Sequence, residues 1–279
     1  MTPTIRRRRG SSRWRLPLAV VAAVTLAATG CGAALVRAAP VTQDGAMFDD
    51  FNGPGGSPPD SRMWSYDLGG GGWGNNEVQT YTDSPENVRL DGDGHLVIDA
   101  VRQADGGFTS ARLTTRGKFS FTYGRAEARI KLPSGDGVHT GFWLLGADID
   151  RVGWPRSGEI DVIETINDPT TATCTAHGPT ATGGDWQAGM GKDLPVPLSA
   201  DFHTYWVQRS PGSITTGVDQ QVTCALTAAN VGAQNIWVFD KPFNLLLNVA
   251  IGGNYPGPPD AQTPSPATML IDWVKVTPT

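Results

Sequence analysis

The sequence predicts an all-β protein, a sandwich or jelly roll in a single domain, and three observations carry that reading. Strand-type runs are short and recur along the chain. Gly (35) and Pro (21) punctuate them evenly. No segment keeps a helical apolar period over a dozen residues, and no repeat is present. In chain order, 96–98 (Leu-Val-Ile) is an apolar run of strand type. Residues 118–123 (Lys-Phe-Ser-Phe-Thr-Tyr) and 126–132 (Ala-Glu-Ala-Arg-Ile-Lys-Leu) alternate, as a strand with one buried face does. Further strands are read at 158–164, 204–207, 245–247 and 269–271. The Gly-rich stretch 69–74 and the Pro/Gly-rich stretch 254–266 are loops, and loops at the rim of a rigid sheet often carry binding residues.

The first 38 residues are set apart from this domain. Arg6 to Arg9, Arg13 and Arg15 form a basic flank, followed by an apolar run from Leu16 to about Val36, the pattern of a secretory signal. Cleavage after Ala38, lipidation at Cys31 and retention as a membrane anchor are all open. The arginine pairs lack the rest of a twin-arginine pattern. Residues 39–45 form a short linker, and 46–279 the functional domain. The product is therefore expected to be secreted or attached to the cell envelope, meeting a membrane only through that N-terminal segment.

Charge narrows the partners. Seven of the 22 Lys and Arg, but none of the 27 Asp and Glu, lie in residues 1–37, which leaves 15 against 27, a net −12. So acidic a body suits neither nucleic acid nor anionic lipid; a neutral polymer is the easier partner. Outside the leader the cysteines are Cys174 and Cys224. In an oxidising compartment they are expected to bridge, with two buried free thiols as the alternative. No Cys-x-x-Cys or paired His accompanies them to suggest a metal.

The most informative segment is 158–164, Gly-Glu-Ile-Asp-Val-Ile-Glu. On a strand Glu159 and Asp161 share a face, while strict alternation would send Glu164 to the other. One extra residue, a β-bulge, returns Glu164 to the face of the first two. A row of acids on a hydrophobic strand is costly unless that face lines a wet cleft. The chemistry that uses two carboxylates across a cleft is glycoside hydrolysis. Trp73, Trp143 and Trp154 lie near these acids in polar, Gly-rich surroundings and suit stacking on sugar rings, whereas Trp206, Trp237 and Trp273 are read as core.

Several blocks, in order, resemble glycoside hydrolase family 16, in particular bacterial endo-β-1,3-glucanases. They include Gly74-Asn-Asn-Glu-Val-Gln-Thr-Tyr-Thr82, Ser110-Ala-Arg-Leu-Thr-Thr115, Trp154-Pro-Arg-Ser-Gly-Glu-Ile-Asp-Val-Ile-Glu164, Leu247-Asn-Val-Ala-Ile-Gly-Gly-Asn254 and Asp272-Trp-Val-Lys-Val276. The resemblance implies a concanavalin A-like β-jelly-roll sandwich of two curved antiparallel sheets, with the cleft on the concave face. It makes Glu159 the nucleophile, Glu164 the general acid/base, with a pKa raised by Glu159 and Asp161, and Asp161 the residue orienting the nucleophile. It also implies sugar contacts from Asn75, Arg112, Trp143, Trp154 and His177. Catalysis would need no cofactor, and a structural Ca²⁺ would draw on Asp50 (or Asp49) and Asp272. His203 reads as structural. Asn248 interrupts an apolar strand and needs hydrogen-bond partners. One departure stands out. Relatives often carry an aromatic residue where this chain has His139, which leaves one subsite different and the preferred glucan open. Lichenase-type members usually lack the bulged residue, so its presence favours β-1,3-glucan over mixed-linkage glucan. Hydrolysis of another β-glycan such as a galactan, transglycosylation, and a non-catalytic glycan-binding module are the alternatives. A monomer is expected.

Overall fold

The computed structural model describes residues 45–167 and 170–279. The leader, and the linker except for Gly45, lie outside them. Among the described residues no helix is long and apolar enough to cross a membrane.

Two sheets face each other across one core. The seven-stranded sheet runs Asp185–Asp193, Thr171–Pro179, Glu159–Ile166, Val138–Gly146, Phe243–Ile251, Arg112–Thr114, Ser65–Tyr66. Its pairs are all antiparallel. The ten-stranded sheet runs Gln221–Thr227, Ser213–Val218, His203–Ser210, Gly124–Lys131, Ala267–Pro278, Leu96–Arg102, Phe108–Ser110, Gln79–Tyr81. Met47–Asp49 adds to Ala267–Pro278, and Val88–Leu90 to Leu96–Arg102. The sandwich expected from the sequence is thus present, with one exception to its antiparallel pattern: Gln79–Tyr81 pairs in parallel with Phe108–Ser110.

Alternation explains the layering. Gly124–Lys131 is buried at every second residue, and Ala126, Ala128 and Ile130 enter the core. On Val138–Gly146 the core side carries Val138, Phe142 and Leu144, while His139 and Trp143 face the other way into the cleft. The Phe243–Ile251 strand is buried along its whole length, because its second face lies under the floor of the cleft rather than in open water.

Residues 118–123 correct the sequence reading. They alternate, and Phe119 and Phe121 are buried, yet they form no strand. A turn closes on Thr115, whose carbonyl accepts the N–H groups of Lys118 and Phe119. Phe121 makes one isolated bridge, to Phe243. Its carbonyl also accepts Arg209 Nη1 at 2.9 Å, and Arg209, 1% exposed, reaches the carbonyls of Phe239 and Lys241 and lies over the Phe243 ring. A buried guanidinium thus binds carbonyls there that a neighbouring strand would otherwise take. Trp206 is core as expected, but Trp237 and Trp273 are only partly buried.

Cys174 and Cys224 form a disulfide. It ties Thr171–Pro179 of one sheet to Gln221–Thr227 of the other, and closing a loop of 50 residues stabilises by about 4 kcal/mol in the chain-entropy model.

Candidate active site

The outward face of the seven-stranded sheet floors a cleft of about 1050 Å³, and all three acids of the Glu159–Ile166 strand line it. The bulge that sequence logic required is present. Asp161 pairs with Trp143 but Ile163 with Phe142, so Val162 is the extra residue. Val162 and Ile163 are both buried, and Glu164 comes back to the face of Glu159 and Asp161.

Each acid has its own partners. Glu159 Oε2 accepts the indole N–H of Trp154 at 3.1 Å, and His177 sits opposite Glu159 in the ladder. Asp161 is 3% exposed; His177 Nε2 lies 3.3 Å from its Oδ2, out of line for a hydrogen bond, so that oxygen has no aligned donor. Glu164 accepts from both neighbouring strands, His139 Nε2 at 3.2 Å on Oε1 and Thr175 Oγ1 at 3.2 Å on Oε2.

These surroundings separate the three acids. Burial, then the charge of Asp161, pushes Glu159 up to about 8. Burial and then Glu164 raise Asp161 well above the usual carboxylate range. Burial also pushes Glu164 up, but the hydrogen bond and charge of His139, with help from His177 and Thr175, outweigh it and leave Glu164 below an ordinary glutamate. This reverses the expected order, with Glu159 raised and Glu164 lowered, because Glu164 alone has two aligned donors from neighbouring strands.

The sugar-contact candidates fall into two groups. Trp143, Trp154, His177, Asn75 and Arg112 all line the cleft, and Trp154 is 49% exposed at its rim. Arg112 is largely engaged by protein: its guanidinium lies 4.6 Å from the ring centroids of both Trp73 and Trp143, and Nε donates to Asp67 at 3.1 Å. Trp143 Nε1 donates to Asn248 Oδ1 at 2.7 Å, and Asn248 Nδ2 donates to Tyr81 OH at 3.1 Å. That chain gives Asn248 its partners. Gly141 leaves room for it, since a Cβ there would stand 3.0 Å from Trp143 Cδ1 and 3.2 Å from Asn248 Oδ1. Asn75 is fixed through its backbone, its carbonyl accepting the N–H of Asn254.

Thr175, Tyr255 and the contact of His139 with Glu164 went unread in the sequence. Thr175 was within reach, because it shares a face with His177 two residues on. Tyr255 sits in a Pro/Gly loop with no period to place it.

The acids named for calcium each have a protein partner. The carboxylate of Asp272 is taken by Arg129, Asp50 binds the N–H of Asn52, and Asp49 holds Phe51 N and Trp64 Nε1. Among the described residues, one group of three has ligand atoms all within 4.8 Å of one another: Glu159, Asp161 and His177. With Trp154 already donating to Glu159, we read them as part of an acid row.

A model of glycosyl hydrolases family 16 matches residues 73–275. The chain belongs to this family. This glycosyl hydrolase is 37% identical over 246 residues to a glucan endo-1,3-beta-glucosidase of Cryptopygus antarcticus, covering 81% of this chain and 89% of the relative. It is 38% identical to a beta-glucanase of Rhodothermus marinus, over 78% of this chain and 80% of the other. Its fold superposes on the catalytic domain of an endo-1,3-beta-glucanase (laminarinase) from Thermotoga petrophila RKU-1 with a TM-score of 0.75, 38% identity, and coverage of 82% and 95%. The family 16 jelly roll is therefore the fold of this enzyme.

Proposed function

We propose that this family 16 hydrolase is an exported, endo-acting, retaining β-1,3-glucanase whose catalytic domain is residues 46–279. One observation carries the reading. A bulge at Val162 puts Glu159, Asp161 and Glu164 on one face of a cleft walled by Trp143 and Trp154. The relatives named as endo-1,3-beta-glucanases support the choice of polymer.

Glu159 attacks the anomeric carbon while Glu164 gives its proton to the departing glycosidic oxygen. The glycosyl–Glu159 ester is then broken by water, whose proton Glu164 takes. The first step needs Glu159 ionised and Glu164 protonated. Asp161, buried on the same face between them in sequence, orients the nucleophile and raises its pKa. His177 and Trp154 hold the nucleophile end through contacts with Asp161 and Glu159. No step uses a cofactor, and a structural calcium would draw on Asp50 and the Asp272 oxygen that Arg129 leaves free.

The leader at 1–38 and the Cys174–Cys224 bridge support export, because such bridges persist in oxidising compartments. We take the enzyme to act as a monomer on a neutral polysaccharide. Laminarin incubated with the protein should yield new reducing ends, and Glu159→Ser should yield none. Release from lichenan or agarose but not laminarin would overturn the choice of polymer. Longer products without net reducing ends would make it a transglycosylase. Glucan binding with no turnover of any kind would make it a binding module.

A further inference from the structure

His139 is joined to the acid row and has no part in the scheme above. It projects from Val138–Gly146 into the cleft, with Nε2 3.2 Å from Glu164 Oε1 and its ring edge-on to Tyr255, centroids 5.4 Å apart. Its other nitrogen, Nδ1, is buried and without a partner. That asymmetry fixes the tautomer. A carboxylate can only accept, so the N–H belongs on Nε2. His139 therefore donates to Glu164 through Nε2.

The geometry assigns His139 as a positioning residue that orients Glu164 and favours its carboxylate form, the form that takes the proton of water in the second half of the reaction. The assignment rests on the reading of Glu164 as acid/base. In the first half a proton leaves Glu164 for the glycosidic oxygen, and the carboxylate left behind gains the Nε2–H bond. In the second half a proton passes from water to Glu164 as the ester of Glu159 breaks. His139 exchanges no proton in either. The other groups facing Glu164 are Asp161 and Glu159 on its own strand, Thr175 and His177 on Thr171–Pro179, and Tyr255 from the 252–266 loop. Arg112 acts on the Glu159 end. The two donors aligned on its oxygens are His139 and Thr175, one from each neighbouring strand.

A 2,4-dinitrophenyl β-laminaribioside separates this role from packing. Its leaving group departs without an acid, so the second half limits kcat. His139→Phe keeps the aromatic edge to Tyr255 but no donor. It should lower kcat about tenfold or more, part of the ~10²–10⁴ that a general base contributes, with kcat/KM near the parent's. His139→Gln, whose amide N–H stands close to the place of Nε2, should restore most of kcat. On laminarin the basic limb of kcat/KM should move to higher pH in His139→Phe, since a donor to the ionised acid has gone. Unchanged kcat in His139→Phe overturns the assignment. Equal loss in the Phe and Gln variants does so too, because the ring and not the N–H would then matter. Thermal melts and near-UV circular dichroism check the fold; if the Phe variant fails to fold, His139→Asn, too short to reach Glu164, replaces it under the same criteria. Glu164→Ala runs in parallel. If it keeps kcat on this substrate, or azide does not rescue it, the fault lies in the reading of Glu164 rather than in His139.

Discussion

Replacing Glu159 by Gln should stabilise the fold, and by more at neutral than at acid pH. Burial, then Asp161, raises the Glu159 carboxyl from 4.5 to about 8. Between those values the folded protein holds a proton that the unfolded chain has already released, so stability falls as pH rises. The contribution is intact below about 4.5 and is lost progressively up to about 8. Linkage between the two values gives a loss of about 1 kcal/mol at pH 5 and about 3 kcal/mol at pH 7. Gln has nearly the same shape and no proton to lose. The advantage of Glu159→Gln should therefore grow by about 2.5 kcal/mol, roughly 5 °C in Tm for a domain of this size, between pH 5 and pH 7. The altered bond to Trp154 Nε1 adds an offset that does not vary with pH over that range, so the change in the gap is the readout. Thermal or urea melts of both proteins at the two pH values measure it. A gap that stays constant would refute the reasoning, because it would mean that Glu159 is ionised in the folded protein at neutral pH.

Three further outcomes are expected. Asn248→Leu leaves Trp143 Nε1 and Tyr81 OH without their buried partner; it should cost about 2–4 kcal/mol in urea melts and raise KM as Trp143 loosens. Cys174→Ser with Cys224→Ser should cost about 4 kcal/mol, seen as a lower urea midpoint, with kcat little changed because the bridge lies on the core side. Deleting Val162 removes the bulge and leaves Glu-Ile-Asp-Ile-Glu in strict alternation, all three acids still facing the cleft. The deletion variant should fold and keep measurable β-glucanase activity, and a failure to fold by circular dichroism would contradict the register.

Much of this protein is determined by patterns of short range. Alternation with period two is a local property, so it marked the Gly124–Lys131 strand and put Glu159 and Asp161 on one face. The need for one bulged residue between Asp161 and Glu164 followed from the same count, because a hydrophobic strand accepts three acids only if all face water. Residues 118–123 carry the same alternation and still form no strand. A distant Arg209 takes the Phe121 carbonyl, which nothing nearby in sequence signals, and a local turn through Gly117 takes the N–H groups of Lys118 and Phe119. Asn248 announced that it needed partners, but which ones was decided by Trp143 and Tyr81, 105 and 167 residues away.

The sequence by itself determined the class of chemistry, because residue type, strand period and one bulge place three carboxylates in a row. It did not determine which of them holds the proton. That depends on burial and on donors from neighbouring strands: the lack of an aligned donor on Asp161 Oδ2, the indole on Glu159, and the His139 and Thr175 bonds to Glu164. Those strands come together only when the sheet forms. Carboxylate acidity is set by solvation and contact geometry through space, so only the tertiary structure could reverse the order that the sequence suggested.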